Sequence, residues 1–383
     1  MKSVPTKKTR VFGAALFAAA LALPSYHSLF AEAAPEHGIV AFKYLKYQDS
    51  QPGQDRIGVN AYSVSAMTPI DGKWSINTSY TYDSVSGASP RLYDEFDTVA
   101  GASKLTEKRN AGDVSVTRYL EKGSVTIGTS YSSESDYISR GYSFQQSFLT
   151  NDNNTTFTLG GSYNNDTINA VKKGVFDKNK EVFAGLLGVT KVLTKQDIVQ
   201  VNVAFSRGRG YFSDPYKENE GDIFDPRPNK REITTLMTRW NHHFDSSDGT
   251  ARMGYRYYTD SYDITAHTFT AEYVQPVPYG FTITPLLRYS SQSAAYFYIP
   301  KASFDPFAAD LPAKPYSYDE RLSAFGAITF GIKAEKKLGT GWIADLKYEQ
   351  YKQRSGWCLT GNGDSELKPF RFTSVQVGLS RQL

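Results

Sequence analysis

The sequence predicts an all-β protein: a transmembrane antiparallel up-and-down β-barrel of about sixteen strands, preceded by a cleaved signal peptide. Two observations carry that prediction. After the leader, apolar and polar residues alternate in about sixteen short runs, and the connections between those runs alternate in length. A period of two sends successive side chains to opposite faces of a sheet. In Trp74–Asp83, for example, Trp74, Ile76, Thr78, Tyr80 and Tyr82 share one face, and Ser75, Asn77, Ser79, Thr81 and Asp83 share the other. A strand with lipid on one side and a wet lumen on the other reads this way. A half-buried strand of a soluble sheet would read the same, so the connections decide between them.

The leader comes first. Lys2, Lys7, Lys8 and Arg10 precede an unbroken stretch from Val11 to Leu23 without a polar side chain, and Ala31-Glu32-Ala33 offers a small-residue site, so cleavage is expected after Ala33. Residues 1–33 are then a signal peptide, and residues 34–383 form a single barrel domain. The apolar stretch is shorter than the ~20 residues of a membrane helix, and no later stretch approaches that length. A barrel strand needs only about 9–11 tilted residues.

The expected strands are Ile39–Tyr47, Ile57–Met67, Trp74–Asp83, Asp113–Leu120, Ser124–Ser132, Ile138–Phe148, Thr156–Asn164 and Val182–Leu193. They continue with Ile198–Arg207, Ile233–Phe244, Ala251–Tyr258, Thr265–Val274, Phe281–Ser290, Leu322–Lys336, Trp342–Gln350 and Phe372–Leu383. Seven connections are short and rich in turn formers, such as Thr68–Lys73 with Asp71-Gly72 and Leu149–Thr155 with Asn153-Asn154. They alternate with eight others. Five of those are long: Ser84–Gly112, Asn165–Glu181, Gly208–Glu232, Ser291–Arg321 and Tyr351–Arg371. Short turns on the periplasmic side and long loops outside are the plan of an outer-membrane barrel, with both termini in the periplasm. Trp74, Trp240 and Trp342 then fall at the lower rim with Phe148, Phe244 and Phe281. Tyr82, Tyr131, Tyr163, Phe205 and Tyr257 mark the upper rim, as two aromatic girdles require. Pro285 inside a run predicts a bulge or kink.

Charge and residue chemistry narrow the function. The leader holds four of the 43 basic residues and one of the 39 acidic ones, so the mature chain carries 39 against 38 and gives no reason to expect a nucleic-acid partner. The single cysteine, Cys358, excludes an intrachain disulfide. Adjacent His242 and His243 face opposite ways on a strand and lie far from His267, which disfavours a metal site. No Gly-x-Ser-x-Gly elbow and no CxxCH haem motif occur, so neither an enzyme nor a cofactor is expected. Asp214 and Asp225 read as solvated loop charge, with cation ligation as the weaker alternative.

The inward row is the best candidate site. Arg252 and Arg256 share the polar face of one strand, Glu272 sits on the next and Arg288 on the one after; farther round, Asp345, Lys347 and Glu349 repeat the mixed charge. Such residues lining a lumen set ion selectivity, or else form a network that keeps the lumen hydrated. Val375, Val377, Leu379, Arg381 and Leu383 on one face of the last strand resemble the terminal signal that barrel-assembly machinery reads.

Tyr44-Leu-Lys-Tyr-Gln-Asp-Ser-Gln-Pro-Gly-Gln-Asp-Arg-Ile57 joins the first two strands, and Asp83-Ser-Val-Ser-Gly-Ala-Ser-Pro90 opens the second loop. With Phe212-Ser-Asp-Pro-Tyr216, Arg227-Pro228, Arg231 and His267-Thr268, they resemble an uncharacterised family of exported Gram-negative proteins, a domain of unknown function covering nearly the whole mature chain. The resemblance implies an outer-membrane barrel and a loose link to periplasmic redox proteins, and no catalytic residue. Gly53, Pro52, Gly87 and Pro90 turn the chain in these motifs, and Asp49, Asp55 and Asp83 can cap loop backbone or, alternatively, converge on a ligand.

The expectation is therefore a cell outer-membrane channel or transporter for small polar solutes or ions, in contact with outer-membrane lipids. The alternatives are a structural barrel that docks a periplasmic redox protein and, behind it, an embedded enzyme.

Overall fold

The computed structural model describes residues 34–87, 105–171, 174–215, 218–219, 223–300, 315–361 and 363–383 of the 383-residue chain. The expected leader, residues 1–33, lies outside the described residues, as do parts of the long connections.

The strands in chain order are β1 (Ile39–Gln51), β2 (Gln54–Ile70), β3 (Trp74–Gly87), β4 (Leu105–Leu120), β5 (Gly123–Ser133), β6 (Tyr137–Leu149), β7 (Thr155–Ile168), β8 (Lys178–Val192) and β9 (Asp197–Gly210). Two short strands follow, β10 (Glu218–Asn219) and β11 (Ile223–Phe224), which pair only with each other. Then come β12 (Lys230–Phe244), β13 (Gly249–Asp260), β14 (Thr265–Val277), β15 (Phe281–Gln292), β16 (Phe325–Lys337), β17 (Trp342–Arg354) and β18 (Phe370–Gln382). Apart from β10 and β11, all sixteen close into one antiparallel barrel in which each strand pairs with its neighbours along the chain. β18 seals the ring against β1, with Ile39 opposite Gln382 and Ser50 opposite Arg371.

Alternation becomes a two-faced wall. Phe42, Ile127, Phe144, Leu187, Val203 and Phe330 all stand exposed on the outer face. Ser75, Ser147, Thr81, Thr117 and Asn241 lie on the inner one, buried. An apolar face this continuous would be an aggregation surface in water; against lipid tails it is the matched solvent.

The girdles have a measurable spacing. Tyr82, Tyr131, Tyr163, Phe205 and Tyr257 each stand eight residues above the lower end of their strand, which begins at Trp74, Gly123, Thr155, Asp197 and Gly249 respectively. Eight residues at ~3.3 Å each, tilted by ~40°, rise ~20 Å, close to the apolar height of an outer-membrane barrel. At the lower rim, basic side chains lie over the aromatic rings: Arg118 is 4.9 Å from the Trp74 centroid, Arg381 5.4 Å from Trp342, and the Lys336 ammonium 3.9 Å from Phe281. Aromatic bodies with cationic tips suit the headgroup layer.

The structure departs from expectation at the upper ends and at one proline. β4 starts at Leu105 instead of Asp113. On β4 the stretch Glu107–Asn110 is polar on both faces, so no apolar–polar alternation marks the strand there, yet the backbone ladder continues from Tyr82–Asn110 up to Gly87–Leu105. Pro285 causes no shift of register: β14 and β15 pair at Glu272–Leu286 and resume at Gln275–Ile283 in the same frame, and only the ladder between them is broken. The register shift falls between Gln48 and Ser50 on β1 instead. Asp49 sits at that bulge, and its carboxylate accepts the Ile57 N–H at 2.7 Å, replacing the ladder bond the bulge removes. The hairpin expected at Asp71-Gly72 forms with φ of 51° and 60°, the pair of positive values that a tight two-residue hairpin uses.

The interior is not uniformly polar. Toward the top of β1–β3, Tyr47, Ile57, Val59 and Val85 form a buried cluster with Phe372 packed against it, and Leu45 and Ala61 pack just below.

Candidate luminal site

The inner face of β12–β15 gathers basic side chains. Register fixes their positions. Arg239 on β12 opposes Gly254 on β13, Gly254 opposes Thr270 on β14, and Thr270 opposes Arg288 on β15. Arg252 lies two residues below Gly254 and opposes Glu272; Arg256 lies two above and opposes Met237 and Thr268. The predicted residues Arg252, Arg256, Glu272 and Arg288 thus occupy one luminal wall. Arg239 belongs with them and was not singled out, although the alternation Thr235, Met237, Arg239, Asn241 was there to be read.

Farther round, β16 and β17 carry the second charged wall. Asp345 opposes Glu335, Lys347 opposes Lys333, and Glu349 opposes Gly331. Each lysine is neutralised within its own strand: Lys333 reaches Glu335 at 2.9 Å and Lys347 reaches Glu349 at 3.1 Å. On the arginine wall the one ion pair among the described residues is looser, Arg252 to Glu272 at 3.9 Å. Among the described residues, Arg239 and Arg288 have no carboxylate partner. Eight strands away, and therefore diametrically across the ring, β3 and β4 face β13 and β14. Asp113 of β4 stands on that opposite wall, accepting from the Ser79 hydroxyl. Between them β5–β9 present mainly Ser, Thr, Gly, Asn and Gln inward, including Thr126, Ser143, Thr158 and Asn202. The lumen is thus polarised across its width.

Asp49, Asp55 and Asp83 do not converge, which corrects their reading as a ligand cluster. Asp49 is buried at the bulge and also accepts from the Tyr47 hydroxyl at 3.1 Å, whereas Asp55 is exposed. Asp83 is level with Ala61 and Leu45, four residues down β1 from Asp49, and is paired with Arg109 at 2.7 Å. Each buried carboxylate serves the fold. Asp214 and Asp225 are likewise spoken for: Arg321 reaches Asp214 at 2.5 Å, and Arg227 links Asp225 to Asp319 at 2.5 and 2.7 Å. These ion pairs, with the apolar cluster of Tyr262, Ile264, Ala295, Phe297 and Leu322, knit the upper connections together. His242 faces outward with its Nδ1 2.8 Å from Asp197, and His267 faces outward beside the Tyr255 hydroxyl at 2.9 Å. His243 faces inward, its Nδ1 3.2 Å from the Thr250 hydroxyl. Among the described residues no group of three or more His, Cys, Asp or Glu side chains could hold a metal ion.

Glu134, in the upper connection between β5 and β6, is pushed up to about 7 by burial, against the pull of Arg109; Asp136, Glu107 and Asp83 raise it further. It holds a proton at weakly acidic pH, where an exposed glutamate has lost it.

Fold and inner wall together define a class, the outer-membrane-type β-barrel with a charged lumen. Within that class, residues 13–374 match the family described as "Protein of unknown function (DUF3570)", and the chain belongs to it. No curated protein matches it in sequence. Among solved structures it is similar to a bacterial polysaccharide outer membrane secretin, at 8% identity and a TM-score of 0.50, covering 90% of this chain and 98% of that one. It is also similar to OccK9 (OpdG) of Pseudomonas aeruginosa, at 10% identity and a TM-score of 0.44, covering 92% of this chain and 99% of that one. A third similar structure is the siderophore receptor PirA of Acinetobacter baumannii, at 10% identity and a TM-score of 0.43, covering 83% of this chain and 53% of that one. The chain therefore spans about half the length of that receptor. At these identities the likeness is one of fold.

Proposed function

We propose that the protein spans a Gram-negative outer membrane, with its short turns in the periplasm, and acts as a porin-like channel or transporter for small polar solutes or ions. The observation that carries this reading is a closed sixteen-strand ring whose outer face is apolar between two aromatic girdles while much of its inner face is polar and charged. Rings of about this strand number enclose more space than side chains can fill, and water takes the remainder. No covalent step is required of it.

Purified, folded protein reconstituted in a planar lipid bilayer is the test. Discrete conductance steps are the expected result. A folded preparation that inserts and stays electrically silent, and admits no small sugars or amino acids into proteoliposomes, overturns the reading.

A further inference from the structure

Gly254 is the centre of a triangle of luminal arginines. Arg239 is its cross-strand partner, and Arg252 and Arg256 flank it two residues away on the same inner face. Arg239 is therefore the diagonal neighbour of both, and diagonal Cα atoms in a sheet are ~7–8 Å apart, within reach of long side chains. Arg288 closes the row beyond Thr270. The centre is open: a Cβ added at Gly254 would meet only the Thr238 carbonyl oxygen at 3.8 Å and Thr270 Cβ at 3.9 Å.

Charge separates this wall from the other one. The lysines of β16 and β17 hold glutamates on their own strands and Asp345 adds a further negative charge, so that wall offers an anion no unpaired cation. Four guanidinium groups on β12–β15 share only Glu272, 3.9 Å from Arg252, among the described residues. Arg239 and Arg256 are exposed to the lumen, and Arg252 keeps 41% of its side-chain surface open. Like charges at diagonal positions repel, and an anion placed among them removes that cost. The planar guanidinium fork matches the two oxygens of a carboxylate or phosphate, a match a lysine ammonium does not make. Asp113 on the facing wall repels such a solute toward the arginines.

We infer that Arg239, Arg252, Arg256 and Arg288 form an oxyanion-binding station over Gly254, and that the solute handled by the barrel is a small carboxylate- or phosphate-bearing anion. This rests on the channel reading for its transport meaning, and on the wall's geometry alone for the binding.

The test pairs current with binding. In a planar bilayer under a KCl gradient, the wild-type reversal potential reports anion preference, and added inorganic phosphate or succinate blocks the chloride current. The variant R239Q/R252Q/R256Q moves the reversal potential toward cations and raises the half-blocking concentration at least about tenfold. Gly254→Leu keeps every charge and fills the centre, so block weakens while the reversal potential changes little. Whichever of phosphate and succinate blocks at the lower concentration identifies the oxyanion. Calorimetric titration of the same anions into detergent-solubilised protein reads the station without conduction. Binding without conductance keeps the station and rejects the channel. Conductance whose selectivity and block are unchanged in the triple variant rejects the station and keeps the channel. Block lost in the triple variant but intact in Gly254→Leu shows a diffuse field with no seat, and also overturns the station.

Discussion

Replacing Gly123 with valine abolishes the folded barrel. Gly123 opens β5 with φ of 139°, a conformation that L side chains rarely adopt. An added Cβ would overlap the Ser147 carbonyl oxygen, with the carbonyl carbon at 2.8 Å and Phe148 Cα at 3.2 Å. These are backbone atoms of the paired strand β6, and no side-chain rotation relieves the clash. Relief would require separating β5 from β6 where they first pair, at Gly123–Phe148. Strain of ~1–3 kcal/mol from φ alone adds to that separation, so the total exceeds ~4 kcal/mol. Gly72 is the control. Its φ is 60°, but nothing lies within 4 Å of an added Cβ, so Gly72→Asn costs no more than about 1 kcal/mol. Heat-modifiable migration on gels and urea midpoints in lipid vesicles check both; a Gly123→Val barrel with wild-type stability contradicts the account.

Arg109→Met carries the second large effect. Arg109 donates from Nε to Asp83 at 2.8 Å, and the two side chains are only 6% and 3% exposed. Removing the arginine leaves the Asp83 carboxylate buried without its cation, at a cost of ~3–5 kcal/mol. Removing both charges is cheaper than removing one. The double variant D83N/R109M is therefore expected to recover most of the lost stability, a coupling that a double-mutant cycle measures from urea midpoints. A single Arg109→Met cost below ~1 kcal/mol, as a solvent-exposed pair would show, contradicts the burial argument.

Strand number, order and facing were legible in the sequence because a closed barrel wall has two unlike faces: each position points outward or into the lumen, and alternation records which. Above the upper girdle that record ends. Glu107–Asn110 are polar on both faces, with Glu107 and Arg109 buried inward as charged side chains, so the stretch before Asp113 carried no apolar pattern. Arg252, Arg256, Glu272 and Arg288 could be placed together because neighbouring strands in a meander pair in sequence order. The bulge that turns the Asp49 carboxylate onto the Ile57 N–H was hidden, being a backbone event without a residue signature. Pairing between distant charges was equally hidden. The Arg321–Asp214 contact joins residues 107 positions apart in two different loops.

The central claim is that alternation divides lipid from water around one closed wall. Single cysteines introduced into a Cys358→Ser background and probed in proteoliposomes with a charged, membrane-impermeant maleimide test it most directly. Lys333, Glu335 and Thr158 on the inner face are expected to label, and Phe330, Ile332, Phe157 and Leu159 on the outer face to remain protected. Protection on both faces would mean a dry interior, and labelling of both would mean a wall outside the membrane; either result contradicts the account.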